Sequence, residues 1–208
     1  MLRRLQEKYI QDVVSVHLKS FPGFFLSFLG ARFLSVYYSG ICSAKEGVGF
    51  VFINNNGIPI GFVAGTVNPR GFYSKLLKRD WFRFSLASVG AICKNPSVLT
   101  RLCRAFFHPS ENSVGDDVAG LFSIGVLPEF QSNDIGGQLV NAFLEEVRTR
   151  GCNRVFLTTD RVDNDVVNNF YKKLGFKIQR QFVTPEHRQM NELCIDLNNK
   201  PTEGVVNV

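Results

Sequence analysis

The apolar positions along this chain change period several times, and each change marks an element. Residues 3–10 read as a first strand; Val13, Val14, Val16 and Leu18 then carry a helix for which Asp12 is the expected cap. An aromatic Pro-Gly turn spanning Phe21, Pro22, Gly23 and Phe24 leads into a second helix through Phe33, Leu34, Tyr37 and Tyr38. Residues 49–53 and 58–67 are apolar runs separated by Asn54-Asn55-Asn56-Gly57. That is a hairpin signal, because Asn and Gly both accept positive φ. The stretch 68–117 is too long for a structureless connection and is expected to hold helices near 73–93 and 96–107. An apolar strand from Leu121 then stops at Pro128. After a polar loop, Leu139, Val140, Phe143, Leu144 and Val147 recur at helical spacing from Gln138 onward. Residues 154–159 read as a buried strand, 160–165 as a turn, and a further helix ends at Gly175. Strands at 176–182 and 189–197 follow, with a polar, frayed tail at 198–208.

The strand, loop and helix between Leu121 and Arg150 carry the first chemical clue. A loop whose free N–H groups converge on a helix N-terminus favours an anion, through hydrogen bonding and through the helix dipole. The loop is neither a Walker A sequence nor the dinucleotide Gly-x-Gly-x-x-Gly. The pattern Val126-x-Pro128-x-x-Gln131-x-x-Asp134-Ile135-Gly136-Gly137-x-Leu139 resembles motif A of the GNAT N-acetyltransferase superfamily. About 30 residues on, Asn164 followed by Phe170-Tyr171-Lys172-Lys173-Leu174-Gly175-Phe176 resembles its motif B.

The resemblance implies an α/β GNAT (acyl-CoA N-acyltransferase) fold in one domain over residues 1–208. Its mixed central sheet of about seven strands would be flanked by helices, with a helical insertion between the third and fourth strands. It implies acetyl-CoA as co-substrate and no metal. The pantetheine arm would pair along Ile124, Gly125 and Val126, with a bulge at Gly125. Pyrophosphate would lie on Gln131, Ser132, Asn133, Asp134, Ile135, Gly136 and Gly137, and Asn164 would hydrogen-bond the pantetheine. Where the family has Gly this chain has Asp134, which tolerates left-handed backbone angles and whose carboxylate is expected to face solvent. Tyr171 is placed as general acid for the leaving thiolate. The usual strand carboxylate is absent, which leaves Ser123, through a water, as the catalytic candidate on that strand; His17, Asp116, Asp117 and His187 stand as other proton acceptors.

Composition narrows the setting. With 208 residues, 45% hydrophobic and 20% charged, the chain has the make-up of a soluble globular domain. No uninterrupted apolar segment of membrane-spanning length and no signal-peptide core is expected. Five scattered cysteines without metal-ligand spacing point to reduced, buried thiols and a cytoplasmic protein. The formal charge is +6, yet residues 68–108 alone hold eight Lys and Arg against the single acid Asp80. The basic insertion 68–117 therefore needs its own explanation. It is a solvated packing insert, a platform for an anionic acceptor, or a peripheral contact with an anionic membrane. Nucleic acid is not expected, since no binding motif for it appears.

The aromatic turn borders the acceptor side in the resembled family, making His17, Phe21 and Phe24 candidate substrate-binding residues, with a structural role for His17 as the competing reading. The expected reaction is N-acetyl transfer from acetyl-CoA to a primary amine by direct attack in a ternary complex. A nucleotide-linked amino sugar or other small anionic amine is the first acceptor, and a protein or peptide amine the alternative. A non-catalytic acyl-CoA-binding sensor is the contrasting hypothesis.

Overall fold

Strand β3 (Pro59–Thr66) is buried at every position, the signature of a strand covered on both faces. Helices α1 (Ile10–Ser20) and α2 (Phe25–Ser43) cover one face, where Phe62 meets the rings of His17 and Tyr38. Helix α4 (Ile135–Thr149) covers the other: Gly61 abuts Ile135 and Leu139, and Gly65 abuts Phe143. A Cβ at Gly65 would run into the Gly120 carbonyl and the Phe143 ring, so glycine is what lets helix and sheet approach there.

The computed structural model describes residues 1–94, 117–131 and 133–198. Around β3 the sheet adds β1 (Leu2–Arg4), β2 (Gly47–Ile53), β4 (Val118–Val126), β5 (Arg154–Asp160), β6 (Lys177–Val183) and β7 (Gln189–Asp196). The seven strands run in the order β1-β2-β3-β4-β5-β7-β6. Every neighbouring pair is antiparallel except β4 and β5, which are parallel. Helices α3 (Phe72–Lys94) and α5 (Asp165–Lys173) complete the described residues.

Several boundaries differ from expectation. The first strand ends at Arg4 instead of running to residue 10. Leu5, Tyr9, Ile10, Val13 and Val14 follow helical spacing, so the chain turns through a 3-10 step at Glu7–Tyr9 straight into α1. Ser39 Oγ donates to the Glu7 carboxylate at 2.7 Å and draws that turn onto α2. Asp12 does not cap: it lies in the first turn of α1, whose N-cap is Tyr9. In the hairpin only Gly57 takes positive φ. Asn54 Oδ1 accepts from the N–H groups of Asn56 and Ile58, closing a longer Asx turn in place of a two-residue one.

Helix α4 begins at Ile135, three residues before the expected start. Helix α2 is, contrary to expectation, long and apolar enough to cross a membrane by length and composition. Here Phe33, Leu34, Tyr37, Tyr38 and Ile41 are buried in the core, and the helical angles break at Gly30 (φ 88°). The predicted 73–93 helix is α3, broken at Asp80. The expected helix at 96–107 and the tail beyond Asn198 lie outside the described residues. The cysteines are not uniformly buried: Cys152 is, Cys42 and Cys194 are half-buried, and Cys93 is exposed.

Candidate active site

Strands β4 and β5 pair only through Val118↔Arg154, Ala119↔Val155 and Gly120↔Phe156. Beyond Gly120, β4 stays paired with β3 to Val126 on its other edge but loses β5. The edge that faced β5 is therefore left with unpaired backbone groups in the middle of a sheet, which is costly unless something fills the gap. The register shift in β4 explains the departure. Ala64 pairs with Ser123 and Gly65 with Leu121, so Phe122 is the extra residue of a bulge. The bulge expected at Gly125 thus lies three residues earlier. Gly125 instead admits Phe62, Ser20 and Phe21, each of which a Cβ there would crowd.

Leaving β4, the chain takes a 3-10 turn at Pro128–Phe130 and reaches α4 through Asp134, whose φ of 54° and ψ of 14° are left-handed. The first helical bond is from the Gln138 N–H to the Asp134 carbonyl, at 3.0 Å. By helix geometry the N–H groups of Ile135, Gly136 and Gly137 therefore point out without a backbone acceptor. The Asp134 side chain does not cap them. The Asp134 residue is exposed, but its carboxylate turns back over the helix end, where a Cβ on Gly137 would collide with Oδ1. It stands beside the positive end of the helix instead of pointing away. Gly136 serves a different purpose, since a Cβ there would press on the Phe170 ring at 3.2 Å. Gln131 Nε2 donates to the Val126 carbonyl at 3.2 Å, and Ser20 Oγ donates to the same carbonyl at 3.1 Å. That carbonyl is spoken for, which leaves the backbone nearer Ile124 for any added strand. Ser132 lies outside the described residues.

Across the gap, Asn164 N-caps α5 without a side-chain cap bond. Its Nδ2 is spent on Thr159 Oγ1 at 2.7 Å and on the Asp160 carbonyl at 3.0 Å. Only Oδ1 remains for a ligand, so Asn164 can accept but not donate. Tyr171 is buried among Phe170 and Phe176. Burial pushes its phenol well above the ordinary range.

On the α1–α2 face lies a polar cluster. His17 Nδ1 and the Tyr38 hydroxyl are 2.6 Å apart, and the hydroxyls of Tyr37 and Tyr73 are 3.4 Å apart. Burial pushes the Tyr37 phenol up to about 12, partly offset by hydrogen bonding to Tyr73 and Ser123. Tyr38 is pushed up as well, by burial first and then by Tyr37, again partly offset by hydrogen bonding to Ser123. His17 is brought down to about 4 by burial, which keeps the imidazole neutral, and its Nε2 is buried without a partner. The mouth of this face is spanned by Arg188, which meets Asp160 through Nε at 3.1 Å and Nη2 at 2.7 Å and lies 5.6 Å from the Phe24 ring. An ion pair and a cation–π contact thus tie the turn before β7 to the aromatic turn between α1 and α2.

Residues 11–176 match the profile of the Acetyltransferase (GNAT) family. The chain belongs to that family. A relative named as an uncharacterized N-acetyltransferase of Methanocaldococcus jannaschii is 24% identical over 176 residues, 85% of this chain and 60% of the relative's length. The chain therefore spans about three fifths of that relative. Two solved structures share the fold. The ribosomal-protein-S18-alanine N-acetyltransferase of Escherichia coli has 14% identity and a TM-score of 0.58, covering 100% of this chain and 99% of its own. NAA60 of Arabidopsis thaliana, in complex with acetyl-CoA, has 14% identity and a TM-score of 0.61, covering 95% and 98%.

Within this GNAT chain the predicted residues divide. Gly125, Phe21, Phe24 and His17 gather on the α1–α2 face, with Ser123 close to the Tyr37–Tyr38 pair, while Gln131 and residues 133–137 gather at the α4 N-terminus. Asp117 does not join either group. It sits just before β4 at the opposite end of the sheet, held below the usual carboxylate range first by the Asn153 hydrogen bond. Asp116 lies outside the described residues. His187, at φ 60°, is in the Arg188 turn. Tyr37, Tyr38, Tyr73, Asp160 and Arg188 were not singled out from sequence. Tyr37 and Tyr38 were visible there as helix residues, but nothing local marks Asp160 and Arg188 as partners 28 positions apart.

Proposed function

We propose that this GNAT chain transfers the acetyl group of acetyl-CoA to a primary amine by direct attack within a ternary complex. The observation that carries this is the parting of β4 and β5 after Gly120↔Phe156. It leaves a sheet edge with free donors and acceptors, and an extended pantetheine arm with its two amides satisfies such an edge as an added strand. At the far end of the same gap the three bare N–H groups of Ile135, Gly136 and Gly137 suit the diphosphate. Asn164 Oδ1 suits an amide N–H of the arm.

The chemistry then requires an amine held close, an acceptor for its proton, stabilisation of the oxyanion, and a proton for the thiolate. Proximity follows from seating both substrates on β4, the arm along its open edge and the amine on the α1–α2 face. Unpaired β4 N–H groups next to the bulge supply donors to the thioester oxygen. Tyr171 stays protonated because of its burial, so it reaches the thiolate as a phenol and gives up its proton only as charge develops on sulfur. Ser123 passes the ammonium proton to water.

The case for an anionic acceptor rested on the basic insertion. In α3, Arg79 donates to the Gly40 carbonyl and to Ser43 at the C-terminal end of α2, away from the mouth formed by Phe21 and Phe24. The amine-bearing molecule instead meets an aromatic rim and the Asp160–Arg188 pair, whose charges cancel. A peptide or protein amine therefore stands level with a nucleotide-linked amino sugar. One observation favours the sensor reading: the Asp134 carboxylate lies at the proposed diphosphate site, and β4 has no acid between Leu121 and Val126. Thiol release from acetyl-CoA, measured with a panel of amino sugars, nucleotide-linked amino sugars and peptides, decides between them. An amine-dependent rate that Tyr171→Phe cuts strongly supports catalysis; acetyl-CoA binding without release under any amine overturns it.

A further inference from the structure

Helix α3 is apolar on two sides, and among the described residues only one of them is packed. Its inner side packs on α2: the Phe33 and Phe84 rings lie 5.0 Å apart, Leu76 fills the space over Gly40, and Phe72, Leu76, Phe84 and Ala91 are buried. Its outer side nevertheless shows Trp81 at 64% exposure, Phe82 at 63%, Leu86 at 64% and Val89 at 51%. Four large apolar side chains within nine residues form a patch, not the scattered surface residues that need no explanation. Trp81 and Phe82 pack edge to face at 5.8 Å, so the patch is ordered around its own aromatic pair.

Position along the helix adds the second half of the argument. Phe82, Leu86 and Val89 follow one another at steps of four and three, a single stripe, and Lys75 and Lys78 are exposed on the turns before it. The break in helical angles at Asp80 lies between those lysines and the apolar stripe. Arg79 and Arg83 both meet Asp80, while Lys75 and Lys78 form no ion pair among the described residues.

We propose that this outer face of α3 is a docking surface for an anionic lipid bilayer, with Trp81, Phe82, Leu86 and Val89 entering the interface and Lys75, Lys78 and Arg83 facing the headgroups. Charge decides among occupants. A second copy docked through the same face brings the same cations to the patch and no acid except Asp80, which its own arginines already hold. A nucleic acid matches the cations but gives four projecting apolar side chains nothing to bury into. An anionic bilayer answers both halves at once.

Trp81 is the one tryptophan of the chain, so its emission reports on this face alone. The full chain is mixed with vesicles of phosphatidylcholine, with or without phosphatidylserine, and followed by co-sedimentation and tryptophan fluorescence. Phosphatidylserine vesicles are expected to bind the protein, shift Trp81 emission to the blue and expose it to brominated-lipid quenching. Binding to phosphatidylcholine alone is expected to be about 10-fold weaker or more. Phe82→Ser/Leu86→Ser lowers partition by about 30-fold, and Lys75→Ala/Lys78→Ala by about 10-fold on phosphatidylserine vesicles only. All four side chains are exposed, so each variant keeps the parent's melting temperature and acetyl-CoA affinity. The proposal is overturned if vesicles neither sediment the protein nor shift Trp81. It is overturned equally if the variants bind like the parent, or if the parent is a dimer that Phe82→Ser/Leu86→Ser makes monomeric. None of these readouts depends on turnover.

Discussion

Asp134 puts a negative charge where the proposed ligand carries its own, and replacing it tests the site directly. Asn keeps the shape and also tolerates the left-handed backbone that φ of 54° demands, so Asp134→Asn removes charge and little else. The carboxylate turns over the first turn of α4 towards Gly137, where bare N–H groups would meet the diphosphate, yet the residue is exposed. Two unit charges roughly 5 Å apart repel by about 1 kcal/mol in bulk water and about 3 kcal/mol at an effective dielectric near 20. Exposure favours the lower part of that span, ~1–2 kcal/mol, so acetyl-CoA should bind Asp134→Asn about 5- to 30-fold tighter at low salt. The gain should shrink as salt rises, because screening acts on the repulsion and leaves N–H donors in place. Calorimetry of both proteins across a salt series supplies the numbers. Equal affinities at low salt would mean that the diphosphate does not approach the α4 N-terminus. Asp134→Gly separates the backbone contribution: relief of the left-handed residue adds about 0.5–1 kcal/mol to folding stability in melts without ligand.

Tyr171→Phe should lower kcat by about 100-fold or more while the acetyl-CoA Kd from calorimetry stays within about 2-fold, the split expected of a proton donor used only in the transition state. His17 gives a pH dependence of folding. Its folded pKa of about 4 lies below the ordinary 6.5, so the unfolded chain binds the extra proton first; stability is fully present above 6.5 and falls as pH drops towards 4. The loss approaches about 3 kcal/mol, and denaturant melts of His17→Gln against the parent should lack that share of the acid slope. Arg188→Ala should raise KM for the amine several-fold without changing acetyl-CoA affinity, since it frees Asp160 and Phe24 at the mouth; an unchanged KM would place the amine elsewhere.

What could be read from the chain was what depends on neighbours in sequence. The α4 unit announced itself because a strand, a polar loop and a helical stripe are contiguous, and the Asn164 to Gly175 block did so for the same reason. The start of α1 is hard to read because only the helical relation of Leu5, Tyr9 and Ile10 to Val13 and Val14 distinguishes them from a strand. The bulge was assigned to Gly125 on residue type. It lies at Phe122 because a bulge is a property of pairing with β3, which no single strand reveals.

The surroundings of Ser123 and of Phe24, both singled out in the sequence, escaped it for a deeper reason. Each is assembled from residues whose meaning arises only when separate elements meet. Ser123 can be picked out on β4 by residue type, but only α2 brings Tyr37 and Tyr38 against it, and Asp160 at the end of β5 is one acid among many until the β7 side delivers Arg188. The coenzyme side, by contrast, is built mostly from backbone of one continuous stretch. That asymmetry explains why the donor half of the reaction is legible from a motif while the amine half is not. On the proposed function, exchanging Phe21, Phe24 or Arg188 should alter which amine is accepted while acetyl-CoA binding is retained.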